Sequence, residues 1–255
     1  MLRVGFTENV AYRGEFFVWF LATNMPLIML LLWRSVAAEA PFGRFGTREF
    51  TAYFLVTQVV RLSTGSWVVW QMNFDAQSGA LNARLMRPIH AFVAYTTEQV
   101  SSLPIRLTMA FPVAIVALVV VGPRGFSHDP VSWLIFPLTV FLAWALNFVC
   151  MLVIGTLALY LGSSRALSDM WLGGFFILSG YIMPLELFPP WLAHAVYLTP
   201  FPYILSFPVT TVLGLEPRQV MLTHLATQAA FVALVLALGV ALWRAGTRRY
   251  EAYGG

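Results

Sequence analysis

The sequence predicts an all-α membrane protein with about six transmembrane helices, and three observations lead there. Of the 255 residues, 59% are hydrophobic and 10% are charged, whereas soluble domains carry roughly a quarter charged residues. A soluble fold of this length cannot hide so much apolar surface, and a bilayer is the natural solvent for it. The apolar residues also fall into successive blocks long enough to cross hydrocarbon, which takes about 20 residues each. No low-complexity linker separates these blocks. One membrane domain over residues 1–255 is therefore expected.

The blocks run in order as follows. The first covers residues 16–33 and the second 50–70, the latter interrupted by Arg61. The third covers 91–121, with Glu98, Pro104 and Arg106 in its first half. The fourth covers 131–161, the fifth 166–183 and the sixth 221–243. The first block is followed by Ala38-Glu39-Ala40, which imitates a signal-peptide cleavage site. Its apolar run is long, however, and Glu8 and Glu15 precede it, so it is expected to remain as the first span. Before it, Met1 to Glu15 carries Val4, Phe6, Val10 and Tyr12 and reads as a surface-lying amphipathic helix.

Two segments do not fit plain loops. Residues 73–88 hold Leu81, Leu85 and Met86 at helical spacing opposite polar side chains. That pattern predicts a short amphipathic helix, which Pro88 closes. Residues 184–208 are apolar and aromatic but broken by six prolines. Proline cannot continue a regular helix through its own position. Non-helical backbone within hydrocarbon must be shielded by protein or line a cavity, so one or two short re-entrant helices are expected there. Trp191, Tyr197 and Tyr203 suit the headgroup level.

Six crossings put both termini on one side. With the termini in the cytoplasm, eight arginines fall inside (Arg3, Arg13, Arg84, Arg87, Arg165, Arg244, Arg248, Arg249) and five outside (Arg34, Arg44, Arg48, Arg124, Arg218). This agrees with the positive-inside rule. All 15 basic residues are arginine, which reads as codon bias. The net charge of +4 fits loops beside anionic lipid, and no basic cluster predicts nucleic-acid binding.

Several chemistries are missing. With no lysine, the chain has no G-x-x-x-x-G-K-[ST] phosphate loop. His90, His128, His194 and His224 are scattered without an H-E-x-x-H pattern, and the one cysteine, Cys150, lies in an apolar run, so no metal site is expected. Gly173-Gly174 and Leu178-Ser179-Gly180 lack the G-x-S-x-G form of a serine hydrolase and read as close-packing positions. No catalytic residues are expected, and an intramembrane enzyme is disfavoured.

Three stretches carry a family likeness: Ala11-Tyr12-Arg13-Gly14-Glu15-Phe16; Gly79-Ala80-Leu81 followed by Leu85-Met86-Arg87-Pro88-Ile89; and Gly180-Tyr181-Ile182-Met183-Pro184-Leu185 through Phe188-Pro189-Pro190-Trp191-Leu192 to Thr199-Pro200-Phe201. Over nearly the whole chain they resemble the permease subunits of ABC-2 type ATP-binding-cassette exporters, in the branch that pairs two different permeases with a separate ATPase. The resemblance implies a bacterial cytoplasmic-membrane protein that dimerises with a second six-helix permease, or with its own copy. It implies two copies of a cytoplasmic ATPase that bind the ATP and magnesium, with no cofactor in this chain. The implied cargo is amphipathic or lipid-like: a lipid, glycolipid, drug or peptide. Residues 73–88 would be the coupling helix, with Asp75, Gly79, Leu81, Arg84, Leu85 and Arg87 as its contact candidates; an ordinary interfacial helix is the plainer alternative.

The intramembrane charges Arg61, Glu98 and Arg106 line a pathway or form a structural ion pair, Arg61 with Glu98 being the expected one. A charge at bilayer depth is costly unless paired or hydrated. Glu186, Phe188 and Trp191 are outer-gate candidates, with Glu186 equally readable as a solvated loop carboxylate. The competing function is a stand-alone secondary transporter or channel, which needs an ion-coupling site near the midplane.

Overall fold

The computed structural model describes residues 13–86, 88 and 90–248, with side chains from residue 23 onward. Most of the expected N-terminal amphipathic helix, and Arg87, lie outside the described residues. Helices account for almost all the regular structure. They are α1 (Arg13–Glu39), α2 (Thr47–Thr64), α3 (Val68–Ser78), α4 (Ala80–Leu85), α5 (Ala91–Ser101), α6 (Leu103–Val121) and α7 (Pro130–Thr156). After these come α8 (Ala158–Leu161), α9 (Arg165–Leu178), α10 (Pro190–Tyr197), α11 (Phe201–Ile204), α12 (Ser206–Leu213) and α13 (Arg218–Thr247).

Helix α2 is the axis of the bundle. Phe50, Tyr53, Phe54, Val56 and Val60 are buried along it, and so are Thr51, Thr57, Gln58, Ser63 and Thr64. Those polar side chains explain its central position, because each would be costly against lipid without a partner. The hydroxyls of Thr51, Ser63 and Thr64 donate to carbonyls one turn earlier in the helix. Helices α1, α6, α7 and α12 pack around α2, and α13 lies along α7.

Three segments are long and apolar enough to cross a membrane: Ala91–Val121, Pro130–Leu161 and Arg218–Thr247. The first and last are mostly exposed, with Phe111, Val119 and Leu234 pointing outward, as expected of surfaces that face lipid. Helix α1 has 27 residues, about 40 Å at 1.5 Å per residue. Helix α2 carries Arg48, Glu49 and Arg61, and α9 has only 14 residues.

The breaks differ from the sequence expectation in informative ways. The second block does not run to Trp70: α2 stops at Thr64, and α3 starts at Val68. Arg61, expected in mid-helix, therefore sits in the last turn of α2. The expected single helix over residues 73–88 is an elbow, because Gly79 takes φ +75° and both ends α3 and begins α4. Only glycine adopts that conformation readily. The third block is interrupted at Ser102, just ahead of Pro104. The fifth block ends at Leu178 instead of residue 183. There the backbone turns at Gly180, whose carbonyl accepts a 2.8 Å hydrogen bond from the Tyr53 hydroxyl. Residues 184–208 do form short helices, and α12 extends them to Leu213.

Candidate functional site

The elbow of α3 and α4 gathers a dense set of polar contacts. Asp75 on α3 and Arg84 on α4 meet across the Gly79 turn, Nε to Oδ2 at 2.7 Å. The Tyr95 hydroxyl of α5 donates to the same carboxylate oxygen at 2.8 Å. Arg84 also forms a fork on Glu98, with Nη1 to Oε1 at 2.8 Å and Nη2 to Oε2 at 3.3 Å. Its guanidinium lies 4.6 Å over the Tyr95 ring, and the Gln71 amide donates to Glu98. Two carboxylates on different helices are thus held by one arginine, whose planar fork suits paired recognition.

A second tie runs from the other face of α3. Asn73 is fully buried. Its amide donates to Ser164 Oγ at 2.8 Å, and its carbonyl oxygen accepts the Ser164 backbone N–H at 2.8 Å. Ser164 stands directly ahead of α9. Helix α3 also presses Met72 against Gly155 of α7, where a Cβ would come within 2.6 Å of the Met72 sulfur. The elbow is therefore bolted to α5 through charge, to α9 through an amide and to α7 through close packing.

The sequence candidates separate by direction. Asp75 and Leu81 are buried, with Leu81 at 2% exposure, and hold the elbow in place within the chain. Leu85 and Met86 face outward, Met86 at 82%, and the exposed Phe74 joins them. Gly79 shapes the turn, and a Cβ there would meet nothing within 4 Å. Asn73, Gln71, Tyr95 and Ser164 were not singled out from sequence. Their spacing along the chain carries no motif, and only the fold brings them together.

The expected ion pair between Arg61 and Glu98 does not form, because Arg84 and Gln71 take up Glu98. Arg61 instead lies over the rings of Phe175 and Tyr181, at 5.3 Å and 5.9 Å. Arg106 donates from Nη1 to the Gly65 carbonyl and from Nε to Ser102 Oγ at 3.0 Å. Gly174 and Gly180 do pack closely, against Phe201 and Tyr53, whereas Gly173 has no neighbour within 4 Å of a built Cβ.

At the opposite end, Arg44 pairs with Glu186 and donates to the Leu215 carbonyl at 3.2 Å. Burial pushes the Glu186 carboxyl above the usual carboxylate range, and Arg44 works against that shift. Glu186 is exposed, as a loop carboxylate would be, with Arg44 as its partner. Phe188 is half-buried, and Trp191 projects from the start of α10 at 72% exposure. Nearby, Arg218 binds Asp129 through both carboxylate oxygens, at 2.7 Å and 3.0 Å. Among the described residues, no group of three His, Cys, Asp or Glu is placed to hold a metal ion.

In a comparison with known families, residues 20–254 fit the family model described as ABC-2 family transporter protein. No curated protein matches the chain.

Proposed function

This chain belongs to the ABC-2 family of transporter proteins, and from that membership we propose that it is the permease half of an ATP-driven exporter whose α3–α4 elbow seats on a separate ATPase. As a member of the family it is a multi-pass membrane subunit that works with an ABC ATPase. The finer reading is six spans: α1, α2, α5–α6, α7–α8, α9 and α13. Both termini then lie in the cytoplasm of a bacterium. Two permeases, this chain with a different one or with its own copy, enclose the path, and two ATPases sit beneath. The cargo is amphipathic or lipid-like.

The observation that carries this reading is the Arg84 clamp. A lever must be stiff and must be joined to what it moves. Arg84 fastens α3, α4 and α5 to one another, while Asn73 fastens α3 to the start of α9. A push on α4 is then delivered as rigid-body motion to two membrane segments. Phe74, Leu85 and Met86 give the push an apolar contact patch beside the clamp. ATP binds and is hydrolysed on the partner, so chemistry there becomes rotation here. As the ATPases close, the elbows swing together and the path opens to the other side.

Stand-alone ion coupling finds little support. Asp75, Glu98, Asp129 and Glu186 are each engaged by an arginine near helix ends.

The test is co-expression with a phosphate-loop ATPase of the ABC class taken from the neighbouring genes, where the reading expects one. The expected result is co-purification and vanadate-sensitive ATP hydrolysis. A chain that purifies and transports without any ATPase would refute the reading.

A further inference from the structure

We propose that the junction between α2 and α3 binds the anionic headgroup, phosphate or carboxylate, of an amphiphile through Arg61 and Arg106. This rests on the permease reading and adds a substrate chemistry to it.

The junction is a break in an otherwise helical path, at Gly65-Ser66-Trp67. Its backbone is satisfied from other helices: Asn147 of α7 donates to the Thr64 carbonyl at 2.8 Å, and Arg106 of α6 donates to that of Gly65. Two guanidiniums converge there. A Cβ built on Gly65 would lie 2.6 Å from Arg106 Nη1 and 4.0 Å from Arg61 Nη1. Glycine thus lets the Arg106 guanidinium close directly onto the backbone of the turn. Among the described residues, no carboxylate pairs with either arginine, since Glu98 and Asp75 are engaged by Arg84.

The plain alternative is that both arginines cap the end of α2. A helix terminus offers about half a negative charge, and two full positive charges converge on it. The aromatic rings of Phe175 and Tyr181 add a weak attraction for Arg61, and the Tyr181 side chain is also hydrogen-bonded to it. None of these contacts reaches Arg61 Nε, which is buried and has no hydrogen-bond partner. A buried donor on a charged group is costly to leave unmade, and uncompensated charge within a membrane is costlier still. A bound anionic group supplies both the missing acceptor and the missing charge. Free phosphate and a lipid headgroup offer the same oxygens. The exposed apolar side chains of α6 that flank Arg106, Ile105, Leu107 and Met109, favour a molecule with a tail.

The experiment uses the purified full-length chain in phosphatidylcholine nanodiscs, without ATPase or ATP. Binding of dioctanoyl phosphatidylglycerol is compared with that of dioctanoyl phosphatidylcholine by native mass spectrometry. Wild type should prefer the anionic lipid about tenfold or more, and Arg61→Gln and Arg106→Gln should each remove about tenfold, the loss expected for a charged hydrogen bond. Arg106→Lys should keep part of the preference. Equal affinity of wild type for the two lipids overturns the proposal, whether or not the variants fold. So does full preference in the folded Arg61→Gln, Arg106→Gln double variant. Displacement by equimolar inorganic phosphate would give the site to a free ion and overturn the amphiphile assignment. Loss of ATPase co-purification would leave lipid preference untouched, so failure here and failure of the permease reading are separable.

Discussion

Arg84 Nε lies 2.7 Å from Asp75 Oδ2 across the turn at Gly79, so one ion pair closes the elbow that the proposed transport cycle pushes upon. Both side chains are largely buried, at 15% and 7% exposure. Removing one partner of such a pair strands the other, at a cost of about 3 kcal/mol. Arg84→Gln should therefore lower the melting temperature of the purified chain by roughly 10 °C. Pairing it with Asp75→Asn should restore part of the loss. A thermal melt in detergent reads both, and an unchanged Arg84→Gln melt would contradict the clamp.

Gly79 has φ +75° and open space around a Cβ. Substitution there meets no clash, only backbone strain of roughly 1–2 kcal/mol. Gly79→Asn should be nearly silent, because asparagine tolerates that region. Gly79→Val should lose ATP-driven transport while the chain still reaches the membrane. Transport assays normalised to protein level distinguish the two.

Leu81 and Met86 separate folding from docking. Leu81 is buried and Met86 is exposed. Leu81→Asp should abolish folded protein, since it places an unpaired carboxylate in the core. Met86→Asp should leave the melting temperature within about 1 °C of wild type and abolish ATPase co-purification. Size-exclusion profiles with and without the ATPase check both.

At the far end, Arg218 and the Val131 N–H hold the Asp129 carboxyl below its ordinary range. A depressed folded-state pKa gives stability that is present above the unfolded value, near 4, and is lost as pH falls through the folded value. Asp129→Asn should therefore melt below wild type at pH 6 and converge with it in acid. Melts across that range read the difference.

Much of this architecture was legible in the sequence. Apolar block length located the three membrane-length segments Ala91–Val121, Pro130–Leu161 and Arg218–Thr247 to within a few residues, and the prolines of residues 184–208 marked the short helices. The end of α2 was not legible, because Trp67-Val68 continues the apolar run, while the break is held by Arg106 on the Gly65 carbonyl and Asn147 on the Thr64 carbonyl. The elbow segment was visible as amphipathic spacing, but its directions were not. Asp75 and Arg84 look like surface charges in a linear pattern, and only Tyr95 and Glu98 of α5 turn them inward. The Arg61–Glu98 pair failed for the same reason: sequence neighbourhood of two helices does not fix which arginine reaches the carboxylate.

The central claim is that the outward face of α4 touches the ATPase. The chain has one cysteine, Cys150, which is buried, so single reporter cysteines can be placed in a Cys150→Ser background. The most direct measurement is cross-linking of the co-expressed complex from Met86→Cys and, as a control, from Leu81→Cys. The expected result is an adduct with the ATPase from position 86 and none from position 81. An ATPase that co-purifies yet cross-links from neither position would contradict the account.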